Sequence, residues 1–155
     1  MQRRTLMKAM MAFCVSPAFA HAAGERRDGP MIEVYKSETC GCCTQWIAHL
    51  QENGFKVKAR NVPNTAAYRA RFGIPAALGS CHTAAVSGYA LEGHVPAAEI
   101  RRLLAEKPRA VGLAVPGMPL GSPGMEMPGR VADAYDVLLL RTDGRQEVYR
   151  RYGTQ

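Results

Sequence analysis

Cys40, Cys42 and Cys43 crowd into four residues, and Cys81 stands apart from them. A thiolate is both the nucleophile of disulfide exchange and a soft metal ligand. Cys40 and Cys43 have the C-x-x-C spacing of a redox pair, with Cys40 as nucleophile and Cys43 as resolving thiol. A Cys42–Cys43 bond would strain the backbone, because consecutive Cα atoms lie only about 3.8 Å apart. A redox pair has no need of a third sulfur. Three thiolates packed this closely repel one another, and a bound cation relieves that repulsion. Cys42 is therefore the residue that argues for a metal, with Cys81 as a fourth sulfur.

The choice of metal turns on the other soft atoms. Structural zinc prefers two separated pairs of ligands, and iron–sulfur clusters use other cysteine spacings. Met118, Met125 and Met127 lie in a segment, residues 112–129, broken by Gly112, Pro116, Gly117, Pro119, Gly121, Pro123, Gly124, Pro128 and Gly129. No helical or strand period explains methionine there. Thioether sulfur suits Cu(I) and adds little to zinc. Among the histidines, His94 precedes a helix in a loop and joins the candidate ligands. His82 follows Cys81, and strand alternation would point it the opposite way. His49 lies off the apolar stripe of its helix and reads as a surface residue.

The elements that must position these groups alternate. Residues 32–35 and 56–62 read as strands, and Cys43 to Asn53 as a helix with Trp46, Ile47 and Leu50 on one face. That helix start, with its free N–H groups and dipole, favours thiolate over thiol. Asn64 or Thr65 caps a short helix ending at Phe72-Gly73. Cys81 to Val86 and Gly88 to Leu91 form two short strands about a Ser87-Gly88 turn, and Pro96 opens a helix that Pro108 ends, with Ile100, Leu103 and Leu104 as its stripe. After the methionine segment, Tyr135 to Arg141 and Gln146 to Tyr152 flank Asp143-Gly144, a hairpin signal. The fold class is α/β, in the order β-α-β-α-β-β-α, with a Gly/Pro/Met-rich C-terminal extension and a terminal hairpin.

The chain of 155 residues allows about one domain. Its 47% hydrophobic and 21% charged residues are ordinary for a globular protein, and no run of 18 apolar residues exists. Residues 1–22 read as a signal peptide: Arg3, Arg4 and Lys8, then an apolar stretch from Ala9 to Ala20, ending in the small-x-small pattern Ala18-Phe19-Ala20. Arg3-Arg4 leaves the twin-arginine and general secretory routes both open. Cys14 and His21 belong to this segment and to no site. Removing residues 1–20 leaves 17 basic against 13 acidic side chains, so +7 falls to +4. The remaining charges are scattered with no basic stripe, which argues against nucleic acid as a partner. Residues 31–110 then form the main domain and 111–155 an extension packed on it.

The element order with a cysteine motif after the first strand resembles the thioredoxin fold. That resemblance places Cys81, in the loop before the third strand, opposite Cys40, Cys42 and Cys43. No proline stands immediately before Cys81, which departs from that fold's usual substrate-binding loop. More closely, the chain resembles the CopG-type copper-resistance proteins of Gram-negative bacteria. The resemblance rests on Cys40-Gly41-Cys42-Cys43, Cys81-His82-Thr83, Gly93-His94-Val95-Pro96, Gly117-Met118-Pro119 and Gly121-Ser122-Pro123-Gly124-Met125-Glu126, and spans residues 31–152. It implies a periplasmic thioredoxin-like domain whose C-terminal extension contributes to metal binding, and a cysteine-bridged, multinuclear copper site interconverting Cu(I) and Cu(II) near an efflux system. The bulky Phe13 before Cys14 separately argues against a lipid anchor, so no membrane anchor is expected in the mature form. Cys40, Cys42, Cys43 and Cys81 would be the thiolates, joined by His94, Met118, Met125 and Met127. Two alternatives stay open: a thiol–disulfide oxidoreductase using Cys40 and Cys43, and a copper carrier without redox chemistry.

Overall fold

The computed structural model describes residues 29–153. The signal-peptide reading falls outside them. Strands β1 (Met31–Lys36), β2 (Lys56–Asn61), β3 (His82–Val86), β4 (Tyr89–Glu92), β5 (Ala110–Ala114), β6 (Tyr135–Arg141) and β7 (Gln146–Tyr152) form one sheet in the order β2-β1-β3-β4-β5-β6-β7. β1 is parallel to β2 and β4 to β5; the other neighbours are antiparallel. Three α-helices accompany the sheet: α1 (Gly41–Glu52), α2 (Thr65–Arg71) and α3 (Ala97–Glu106), with a 3-10 turn at Ala76–Leu78. The molecule is mixed α/β, and the β-α-β-α-β-β-α order expected for its first part is present.

Side-chain alternation sorts the strands onto two faces. Leu91, Leu113 and Leu139 join Trp46 and Leu50 of α1 and Ile100 and Leu103 of α3 in the larger core. Their chain neighbours Ala90, Ala114 and Leu140 join Ile74 and Leu78 in a smaller core on the opposite face. Asn64 is the residue that caps α2, its Oδ1 accepting from the N–H groups of Ala66 and Ala67 at 3.0 and 3.3 Å.

Three sequence expectations need correction. Residues 112–129 were expected to contain no regular element, yet β5 runs through Gly112. The reason is close approach: a Cβ at Gly112 would collide with the carbonyl of Ala90 on β4, so glycine here permits strand pairing rather than breaking it. Helix α1 begins at Gly41, two residues earlier than expected, so Cys42 and Cys43 lie inside its first turn and Cys40 is its N-cap. His49 is half-buried, and its Nε2 accepts the N–H of Ala97 at 3.1 Å. Pro96 supplies no side-chain cap to α3, and the imidazole of α1 takes that role.

The register carries the site. Lys36 pairs with His82, Thr83 with Glu92, and Glu92 with Ala114. The C-terminal ends of β1, β4 and β5 and the start of β3 therefore meet at one end of the sheet. The loops leaving that end carry Cys40, Cys81, His94 and the methionine segment.

Candidate metal centre

Cys40 sits at the α1 N-cap with extended backbone, and its Sγ accepts the N–H of Cys43 at 3.3 Å. Cys40 and Cys43 form a disulfide, with Cα atoms 5.4 Å apart. Cys42 and Cys81 are free. Cys42 Sγ lies 3.5 Å from Cys40 Sγ and 3.7 Å from Cys81 Sγ. All four sulfurs fall within 4.8 Å of one another, as the thioredoxin resemblance anticipated for Cys81.

A second group shares Cys81: its Sγ lies 3.3 Å from His82 Nδ1 and 3.2 Å from His94 Nε2. Strand alternation does not turn His82 away, because β3 begins at His82 and Cys81 still belongs to the preceding loop. His94 Nδ1 is 2.8 Å from the Pro123 carbonyl. A carbonyl only accepts, so Nδ1 carries the proton and Nε2 presents its lone pair to Cys81. His82 is fully buried against Trp46, with ring centroids 4.3 Å apart, and its Nε2 has no hydrogen-bond partner. The His82 nitrogen that faces the site is Nδ1, and with the Cys81 sulfur and the bare Nε2 of His94 it makes a donor set that fits a soft or borderline metal ion.

Electrostatics point the same way. Burial, reinforced by the neighbouring Cys42 sulfur, pushes the Cys81 thiol up to about 12. Burial pushes the His82 imidazole down to about 3 and lowers His94 and His49 from 6.5. The pocket thus rejects both separate thiolate charge and imidazolium, while a metal cation would stabilise the thiolate and needs the imidazoles neutral. A pH dependence follows for the metal-free protein. These histidines are harder to protonate folded than unfolded, so their contribution is complete above about pH 6.5 and is lost as pH falls below it. The urea midpoint should drop between pH 7.5 and pH 5, and His49→Gln, which keeps an acceptor but does not titrate, should flatten part of that slope.

A buried carboxylate holds the Cys81 loop. Glu92 is fully buried; its Oε1 accepts from Arg69 Nε at 2.8 Å and from the Ser80 N–H at 2.6 Å, and its Oε2 accepts from Thr83 Oγ1 at 2.6 Å. Arg69 also donates to the Ser80 carbonyl at 2.8 Å. Sequence reasoning missed Glu92, Arg69 and Ser80. They are 23 and 12 residues apart, and no local pattern marks them as one network.

The methionine segment packs on the elements that carry the cysteines. Ser80 Oγ donates to the Gly117 carbonyl, next to Met118. Gly124, at φ +85°, lies against the first turns of α1: a Cβ there would stand 2.6 Å from the Trp46 nitrogen and 3.0 Å from the Cys42 carbonyl oxygen. Met125 is half-buried, whereas Met118 and Met127 are exposed by 52% and 55%. Gly124→Val should cost about 1–3 kcal/mol, from left-handed backbone and the clash. Urea unfolding, with limited proteolysis within 117–129 as the local readout, checks it.

Two solved structures of a copper resistance protein CopG, forms 1 and 2, match the chain. Form 2 is 46% identical with a TM-score of 0.77, and form 1 is 47% identical with a TM-score of 0.76. Each match covers 81% of this chain and 99% of the other. The chain belongs to the CopG copper-resistance protein family. A family model described as a protein of unknown function, DUF411, matches residues 78–125. That stretch contains Cys81, His82, His94, Met118 and Met125 but begins after the Cys40–Cys43 motif. No curated protein matches. Among the described residues no helix is long and apolar enough to cross a membrane. The CopG relatives and the sulfur–imidazole cluster together make copper ions plausible partners.

Proposed function

We propose that this chain is a periplasmic copper-binding protein whose cysteine cluster holds several Cu(I) ions through bridging thiolates and interconverts Cu(I) and Cu(II) in copper resistance. The observation that carries this reading is the convergence of four sulfurs and two neutral imidazoles, sharing Cys81, beside a methionine-bearing loop that packs on α1 and Ser80. Bridging between ions explains why so many sulfurs occupy so little space, and soft donors favour the cuprous state. Cys40, Cys42, Cys43 and Cys81 are the bridging thiolates of the reduced protein. His94 and His82 complete the site from the β4 and β3 side. Met118, Met125 and Met127 contribute thioethers as the loop settles on the loaded cluster. The ion reaches the site as cargo, and a copper efflux system is the partner that receives it.

The order β2-β1-β3-β4, with β1 parallel to β2 and antiparallel to β3, supports a thioredoxin-like core carrying residues 111–155 as a metal-binding extension. The Cys40–Cys43 disulfide at a helix start gives a second reading specific support: disulfide exchange with Cys40 attacking and Cys43 resolving. The test is anaerobic purification of the mature chain, followed by Cu(I) titration and metal analysis, repeated with Met118, Met125 and Met127 changed to Leu. More than one Cu(I) per chain, with weaker retention in the Leu variant, is expected. One equivalent of zinc with no methionine dependence would overturn the reading.

A further inference from the structure

The six converging donors are not chemically equivalent. Cys40, the N-cap of α1, and Cys43, three residues on in its first turn, are joined as a disulfide. Cys42 and Cys81 come from separate elements, remain thiols, and are accompanied by His82 and His94. Oxidation of the first pair therefore leaves a second set of donors, two sulfurs and two imidazoles, intact. Cys42 Sγ connects the two sets, 3.5 Å from one and 3.7 Å from the other. An ion held by Cys42 lies beside a sulfur of the redox pair, and no long-range electron path is required.

Building on the copper-binding reading above, we infer that Cys40 and Cys43 are a built-in two-electron donor for cupric ions, and that Cys42, Cys81, His82 and His94 keep the cuprous product. The step balances without an outside reductant. Two Cu(II) ions each take one electron. The S–H bonds of Cys40 and Cys43 break, their two protons pass to solvent, and one S–S bond forms between the two sulfurs. The structure then corresponds to the protein after this step. Recharging requires a dithiol reductant that attacks the disulfide. Cys43 is fully buried, whereas Cys40 is half-buried beside the exposed Gly41, so attack falls on Cys40 Sγ and releases Cys43 as the leaving thiolate. The oxidised protein, with two fewer thiolates, holds less copper than the reduced one. Spending electrons on Cu(II) and lowering the copper capacity thus become one event.

The experiment uses the full mature chain, reduced, metal-free and without oxygen. Two equivalents of Cu(II) sulfate are added per chain. Cuprous ion is measured with a Cu(I)-specific chelator after denaturation, and remaining thiols are alkylated and mapped by mass spectrometry. Both cupric ions should be reduced, with the only new disulfide joining Cys40 to Cys43 and with Cys42 and Cys81 alkylated. Dithiothreitol should restore both thiols and a second round. A double variant, Cys40→Ser with Cys43→Ser, should lose stoichiometric reduction and hold fewer equivalents of supplied Cu(I) than the reduced wild type, the remainder kept by Cys42, Cys81, His82 and His94. A disulfide joining Cys42 to Cys81, a scrambled mixture, or undiminished reduction by the double variant would overturn the inference while leaving copper binding standing. Failure of the wild-type chain to retain supplied Cu(I) would instead overturn the copper-binding reading itself.

Discussion

Cys42→Ser is expected to lower Cu(I) affinity by more than about 100-fold, because even partners outside the ligand shell are commonly worth 10–100-fold. The geometry sets the size of the effect. Cys42 Sγ lies 3.5 Å from Cys40 Sγ and 3.7 Å from Cys81 Sγ, so its loss removes the thiol that links the disulfide pair to the Cys81–His82–His94 group. Serine oxygen is hard and does not bridge cuprous ions. The substitution is nearly isosteric at a half-buried position, so the metal-free fold should lose less than about 1 kcal/mol. Competition against a Cu(I) chelator of known affinity measures the first effect, and urea unfolding the second. Dithiol-driven reduction of the Cys40–Cys43 disulfide should persist. If copper affinity is unchanged, the third sulfur is not part of the centre and the disulfide-exchange reading gains.

Glu92→Gln should destabilise the protein by about 3–5 kcal/mol, the usual cost of breaking a buried charged pair by removing one partner. Glutamine keeps the shape and one acceptor oxygen, but Arg69, itself only 11% exposed, loses its counter-charge. The second amide group is a donor facing donors: either the Ser80 N–H and Arg69, or the Thr83 hydroxyl, must give up its acceptor. The local consequence reaches the site, because Ser80 adjoins Cys81. Cys81 should react faster with an alkylating reagent in the metal-free variant, and the urea midpoint should fall. A change below about 1 kcal/mol would contradict the assigned role of this network.

Local signals in the sequence were strong enough to establish most of the elements. Asn64, the Ser87-Gly88 turn, Asp143-Gly144 and the apolar stripes of α1 and α3 each act within a few residues, so they read the same in the chain and in the fold. The exceptions share a cause. β5 forms because Gly112 lets the β4 backbone approach, which is a property of the neighbour and not of residues 110–114. His49 becomes the cap of α3 because two helices meet there, and its own helix gives no sign of that. His82 can meet Cys81 because the strand starts one residue later than expected, so Cys81 lies in the loop and strand alternation does not relate the two side chains.

Residue chemistry by itself determined the candidate centre's character: soft sulfur, too crowded for a redox pair alone, with thioethers in a segment that has no packing period. Soft-ligand preference is a property of atoms and survives any fold. Tertiary structure decided which groups share a boundary. The sheet register brings Cys81 and His94, 13 residues apart, to 3.2 Å, and carries Cys81 to Cys42 across 39 residues. It also decided that Glu92 and Arg69 hold the loop and that Gly124 seats the methionine segment on α1. Such contacts are fixed by pairing and packing over long separations, where no local spacing in the chain records them.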